Sequence, residues 1–505
     1  KEDKPAPVAT PPTSVVVEGA LPYVPPSNTI ATRLPLAYLL TPTNIGTVSD
    51  LLVKEQYGLV LGDALRNVSG LNPQTISNVV DFFVIRGFDS ESSGLVLTDG
   101  ASEPEVAFYQ MYNVERIEVL KGPGGFLYGQ NPLAGAVNIV RRQPMPGTFG
   151  SAGFNGGSFG TWDGTVDFNT STKDGEFAFR VNSTWRESDF HRDEMDNRIS
   201  AINPAFTWRI GDSSSLNVNV EYLDTEYVPD SGLPLYNGEI ADVPRERSYQ
   251  APFDDSDQTI GRVQIDFETI IGPHWTLRNK LYYRDLDWRS EGTIFNGVFP
   301  SFFTGRPEVN RTELLLDDHQ RFVGDRFEAV LTASTGPVEH KVLVGVEAQQ
   351  LSDDFTLDFA ALPSIDLFNP QETAQQPVTP FPLAAGEWRS LVIAPFVIDQ
   401  IKFSEKFHAL AGARLDSIDY EDKLTSDGRN DSEVSPMAGF VYSPTAVLSF
   451  YASAGRAFAP PSNRLTMESD PQRSRQYELG TKIDCYGGRL QTTFALYDMV
   501  RDNIP

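Results

Sequence analysis

Side chains able to do covalent or metal chemistry are present in this chain, but none stands in the pattern such chemistry requires. The five histidines, His191, His274, His319, His340 and His408, are scattered, with no HExxH run and no pair four residues apart. The carboxylate pairs Asp254-Asp255 and Asp353-Asp354 sit in acidic stretches with nothing to orient a partner, so a paired-carboxylate hydrolase is not indicated. Gly122-Pro123-Gly124-Gly125 lacks the Lys-Ser/Thr ending of a phosphate loop. Cys485 is the single cysteine and cannot form an intrachain disulfide. No catalytic residue, metal ligand or cofactor is expected. What remains is the chemistry of recognition, carried by ion pairs and by 32 Phe, 18 Tyr and 6 Trp.

Composition limits what could position such groups. At 505 residues the chain exceeds one ordinary core, so more than one domain is expected. No apolar run approaches the roughly 18 residues of a membrane helix. That leaves open a membrane β-barrel, in which apolar and polar residues alternate. The formal charge is −27, from 41 basic and 68 acidic side chains, opposite to what a nucleic-acid binder needs. No apolar signal core follows Lys1.

Residues 1–28 hold seven prolines, and they read as an extended tail. Inside the tail lies one β-prone island, Thr13, Ser14, Val15, Val16, Val17 and Glu18. An apolar β-branched run in such a tail invites strand addition by a partner. Residues 29–146 read as a small mixed α/β domain. A short helix is expected over 62–68 and strands over 82–87, 95–98, 114–120 and 136–140. From Gly147 the texture changes to alternating segments joined by tight turns, as at Lys173-Asp174-Gly175, Gly211-Asp212, Gly272-Pro273 and Gly336-Pro337. About 15 antiparallel strands are expected over 147–505. Asn310 to Ser334 reads as one strand projecting beyond a bilayer. Long connections are expected near 228–257, 292–307 and 360–387. Short turns on one side and long loops on the other are the asymmetry of an outer-membrane barrel. Fifteen is the wrong parity for closure, so this reading expects an incomplete wall.

Three runs in order, Val114 to Pro123 (VERIEVLKGP), Leu127 to Gln130 (LYGQ) and Gly135 to Val140 (GAVNIV), resemble the plug domain of TonB-dependent outer-membrane receptors. So do Phe83 to Phe88 (FVIRGF) and Asp63 to Leu71 (DALRNVSGL). Gly455 to Ser462 (GRAFAPPS) and Gln476 to Gly480 (QYELG) resemble the ferric-siderophore branch. The resemblance covers nearly the whole chain.

It implies a barrel of about 22 strands, with roughly seven C-terminal strands missing here, and a mixed α/β plug inside the lumen. It implies energy-driven uptake of a ferric siderophore at the bacterial outer membrane, without catalysis. Uptake of cobalamin or an oligosaccharide, or a truncated surface binder, are the alternatives. Thr13 to Glu18 would be the TonB box, pulled by TonB working with ExbB and ExbD at the inner membrane. Arg86 and Arg116 match plug arginines that pair with wall glutamates, and Glu478 matches one of those glutamates. The other partners implied are outer-membrane lipid and lipopolysaccharide, with the receptor acting as a monomer. Phe88, Tyr109 and Tyr112 of the plug and Tyr227, Tyr236 and Trp288 of the barrel are the candidate substrate contacts. The acidic balance argues against a highly anionic catecholate chelate.

Overall fold

The computed structural model describes residues 27–504 except 77–79, 90–93, 104–107, 377, 461–469 and 487, and describes no side chain at 75, 76, 80 or 81. Thr13 to Glu18 therefore lie outside the described residues.

The N-terminal third is built on a five-stranded mixed sheet. Its order is Asn44–Ser49, Val114–Lys121, Gly135–Arg141, Gly94–Thr98 and Ala101–Glu103. Val137 pairs antiparallel with Val119 and parallel with Val96, so Gly135–Arg141 is the central strand. Its glycine is required: a Cβ at Gly135 would stand 2.3 Å from the Leu120 carbonyl oxygen. A second, three-stranded sheet comprises Leu71–Ile76, Val80–Ile85 and Phe88–Asp89. Helix Asp50–Glu55 packs on the first sheet, capped by the Ser49 hydroxyl on the Leu52 amide at 3.4 Å, and helix Leu61–Leu65 packs on the second. Val48, Leu65, Phe83, Ile85, Ile117 and Val137 are among the buried apolar side chains that close this core. The expected helix begins one residue earlier than read and ends at Leu65, three residues before the expected end. Strands Asn44–Ser49 and Leu71–Ile76 were not expected, since neither shows clean alternation.

The remaining chain forms a wall of fifteen antiparallel strands in sequence order, from Phe149–Gly156 to Leu490–Asp502. Among the described residues each of those two terminal strands pairs on one side. Alternation is inverted relative to a soluble sheet. Val220, Tyr222, Leu281, Tyr283, Val323 and Phe327 face outward, exposed. Asn203, Asn219, Glu221, Arg262, Glu328 and Glu347 face inward, buried. Lipid as the outer solvent rewards that arrangement, and a hydrogen-bonded sheet satisfies its backbone groups there.

Four strands are long: Trp275–Pro300, Pro307–Thr335, Val338–Ala361 and Phe381–Lys402, of 26, 29, 24 and 22 residues. The outward positions Asp285, Asp287, Arg289, Asp317 and Arg321 carry charge, so the apolar band ends below them. Everything beyond them stands outside the bilayer. Residues 292–307, expected to be a loop, are mostly strand. The pairing runs to Pro300–Pro307 across a bulge at Phe295/Gly297, leaving a tip of six residues.

Candidate functional site

The junction between the N-terminal domain and the wall is built from buried charge. Arg86 follows strand Val80–Ile85 in a left-handed conformation, φ 51°, with Gly87 at φ 90°. That turn costs about 1 kcal/mol for a side-chain-bearing residue. It aims the guanidinium at the wall. Arg86 Nη1 lies 2.6 Å from Glu478 Oε2 and donates to Gln476 Oε1 at 2.7 Å, and the guanidinium lies 4.0 Å from the Tyr497 ring centroid. The Tyr451 hydroxyl donates to the other Glu478 oxygen at 2.5 Å. Strand alternation places Gln476 and Glu478 on the same inward face.

Arg116 does not join this cluster. Its guanidinium pairs at 2.9 Å with Glu118 and with Glu115, neighbours on its own strand. Glu118 in turn accepts from the Thr29 and Ile30 amides. Arg116 thus ties the N-terminal segment to the sheet it leads into. Lys121, near Arg86, is pushed down to about 8 by burial and then by that guanidinium's charge.

Two further charge networks were missed in the sequence. In the first, Arg33 reaches Glu328 at 3.4 Å and Glu347 at 3.2 Å, Arg414 reaches Glu347 at 2.5 Å and Asp416 at 2.8 Å, and both arginines donate to the Leu127 carbonyl. In the second, Arg141 pairs with Asp99 at 2.8 Å and Glu221 at 3.2 Å. Arg262 pairs with Glu103 at 3.0 Å, and Arg284 with Glu103 at 2.9 Å. Burial pushes the Glu103 carboxyl up, but Arg262 and Arg284 outweigh it and hold it below its ordinary value. The signal was available: charged residues at every second position opposite outward aromatics, as in Arg326, Phe327 and Glu328.

Small residues bring the two layers together. A Cβ on Gly125 would stand 2.6 Å from Ser435 Oγ and 3.0 Å from Ala457 Cα. One on Gly129 would stand 2.6 Å from Asp416 Oδ1.

The six candidate aromatics separate into groups. Tyr112 packs against Ile199, Leu223, Ile260, Leu286 and Trp288, and its hydroxyl donates to Glu221 at 2.9 Å. Burial, then the Glu221 charge, raises the Tyr112 phenol well above its ordinary range. Tyr227 meets Phe108 edge-on at 5.7 Å, and the Trp288 indole donates to Ser256 at 3.3 Å. Tyr109 belongs to the inner core, with Arg262 at 5.8 Å from its ring centroid. Phe88 packs on that same core. Tyr236 sits apart, against Phe368 in the long loops. A pair not expected from sequence, Trp388 and Tyr420 at 5.9 Å, lines the wall on another side, with Arg429 over Tyr420.

The long loops are pinned by a buried polar knot. The Thr293 hydroxyl lies 3.0 Å from Asp254 Oδ1 and 3.5 Å from Glu313 Oε2, while Arg311 makes a two-pronged pair with Glu372. Burial, and for Glu313 next the Asp254 charge, pushes both carboxyls up. A cavity of about 450 Å³ opens at the opposite, short-turn end, between Asp99 and Asn138 inside and Asn217, Gln264 and Lys280 of the wall. No cluster of three or more His, Cys, Asp or Glu placed to hold a metal occurs among the described residues.

Two family models match this chain. "TonB dependent receptor-like, beta-barrel" matches residues 202–505, and "TonB-dependent Receptor Plug Domain" matches residues 39–136. The metal-pseudopaline receptor CntO of Pseudomonas aeruginosa is 26% identical over 411 residues, covering 77% of this chain. The chain spans 57% of that relative's length. The ferrioxamine B receptor of Salmonella typhimurium is 26% identical over 506 residues, covering 95% of this chain and 70% of the relative. Among solved structures, the ferripyoverdine receptor of the Pseudomonas aeruginosa outer membrane superposes with a TM-score of 0.87 at 18% identity, over 96% of this chain and 66% of that one. The ferric-catecholate import receptor Fiu of E. coli gives 0.85 at 22%, over 94% and 75%. At those identities the likeness is one of fold.

Proposed function

This chain belongs to the TonB-dependent receptor family, and from that premise we propose that it takes up a ferric siderophore across the bacterial outer membrane. It is an outer-membrane protein with a plug inside a β-barrel wall. Residues 29–146 form the plug, 147–505 the wall, and 1–28 a periplasmic tail whose Thr13 to Glu18 island adds as a strand to TonB. TonB, energised with ExbB and ExbD, pulls on that tail. The receptor acts as a monomer among lipid and lipopolysaccharide, and it performs no covalent chemistry.

The observation that carries this reading is the Arg86–Glu478 pair, a buried plug-to-wall ion pair. Buried pairs are poor stabilisers but strongly specific, since losing one partner strands the other. Such a pair suits a plug that must be held in one pose and released on demand. The names of the relatives, ferrioxamine B receptor and metal-pseudopaline receptor, support a metal chelate as the cargo. Tyr112, Tyr227 and Trp288 form the aromatic floor such a chelate would meet from outside.

Deleting residues 13–18 tests the proposal. Surface binding of the ferric chelate is expected to survive while uptake stops; uptake that persists without the island would sink it.

A further inference from the structure

Lys482 is fully buried and faces inward from the wall strand Gln472–Cys485. Among the described residues no carboxylate lies within salt-bridge reach of its ammonium. Instead Nζ donates to the carbonyls of Tyr38 at 3.1 Å and Thr41 at 2.7 Å. It lies 4.9 Å from the Tyr38 ring centroid and 5.2 Å from that of Tyr451. A buried ammonium needs its acceptors, so the wall lysine is satisfied by the first segment of the plug, ahead of its sheets.

That segment is a dock. Leu36–Ala37 pairs with Ser27–Asn28, the Asn28 amide reaches the Thr41 hydroxyl at 3.3 Å, and the Tyr38 hydroxyl meets that of Thr493 at 2.6 Å. Tension arriving from the N-terminus meets this dock before it meets the plug sheet.

Alternation puts Glu478, Gly480 and Lys482 on one face of the strand. Tyr451 pairs with Gly480 in the sheet register, and its ring occupies the space a Gly480 side chain would need: a Cβ there would stand 2.4 Å from the ring. The ring therefore lies between Lys482 and Glu478, facing the ammonium on one side and giving its hydroxyl to the carboxylate on the other. The other Glu478 oxygen holds Arg86.

We propose that Lys482 and Tyr451 couple the tail-side dock to the latch, so that lifting Tyr38–Thr41 off the wall loosens Arg86 from Glu478. The inference rests on the uptake reading above. Stripped of both carbonyls and the Tyr38 ring, the ammonium turns to the nearest acceptors on its face, the Tyr451 hydroxyl and the Glu478 carboxylate. A Glu478 shared with Lys482 holds Arg86 less well. Lys482 is thus a positioning residue, and Gly480 is the gap that lets the relay pass.

Hydrogen exchange on the purified receptor tests this without any transported ligand. Tyr38→Ala, which weakens the dock and keeps the lysine, is expected to raise exchange about tenfold both at 36–42 and at 84–89. Adding Lys482→Met should return 84–89 to the parent rate while 36–42 stays fast. Coupling is reciprocal, so Arg86→Met, which frees Glu478 to draw the lysine, should raise exchange at 36–42. Independent anchors would give local effects only: Tyr38→Ala confined to 36–42, or Arg86→Met silent there, overturns the proposal. A failed uptake assay would sink the functional reading and leave this coupling standing.

Discussion

Arg33 of the plug and Glu347 of the wall meet at 3.2 Å with both side chains buried, and Glu347 also holds Arg414 at 2.5 Å. One carboxylate therefore neutralises guanidiniums on both sides of the plug–wall boundary. Glu347→Ala leaves those guanidiniums short of countercharge in a closed space. The expected cost is about 3–5 kcal/mol, read as a fall in the urea midpoint of the detergent-solubilised protein. Glu347→Gln keeps hydrogen bonds and shape and should cost less.

The latch predicts a non-additive pair. Arg86→Met and Glu478→Gln each strand a partner, so each should cost about 3–5 kcal/mol. The double variant should cost clearly less than the two together, because neither charge is then left alone. Equal, additive losses would mean the contact at 2.6 Å is incidental.

Gly125 tests how tightly the layers meet. The Ala457 backbone at 3.0 Å cannot swing aside as a side chain can. Gly125→Ala should push the plug off this sector at a cost of about 1–3 kcal/mol, read as faster tryptic cleavage within 114–142. Gly147→Ala, where no atom lies within 4 Å but φ is 100°, should strain the backbone without touching the plug.

The carboxyl pair under the long loops gives a pH dependence. Burial raises both carboxyls above their ordinary values; at Glu313 the Asp254 and Glu291 charges add to the rise, while at Asp254 the Thr293 hydrogen bonds and then Arg311 oppose it. The unfolded chain gives up these protons near pH 4. Between there and the raised values the folded state binds more protons, so the loop cap weakens as pH climbs. The protection factors at 249–254, which remove the base-catalysed rise common to all amides, should fall from pH 5 toward pH 8, and Glu313→Gln should flatten that fall.

How far the sequence could be read follows from where each signal lives. Strand alternation and tight turns are local, so the wall strands and their short-turn side are visible without any tertiary information. Residues 292–300 look like a loop because Gly292, Asn296 and Gly297 break the alternation; the bulge at Phe295/Gly297 absorbs the break and pairing continues. Arg414 escaped notice because an inward charge on a wall strand looks like a solvated one until the plug is seen facing it, and Arg33 and Arg141, on the plug side, because the wall carboxylates they meet lie far along the chain. The aromatics were the hardest to sort. Trp288 and Tyr236 look alike in sequence, yet one is buried in a cluster with Ile260 and Leu286 and the other packs among the long loops.

The long hairpin has a last consequence. A strand of 29 residues is roughly 95 Å of extended chain, while the hydrocarbon layer takes up only about 30 Å of height. Even steeply tilted, the hairpin carries its tip, where Phe302 and Phe303 are 95% and 92% exposed, far above the lipid. Among the described residues, those two rings are the large apolar side chains most open to whatever approaches from outside, and their exposure does not depend on the pose of the domain inside the wall.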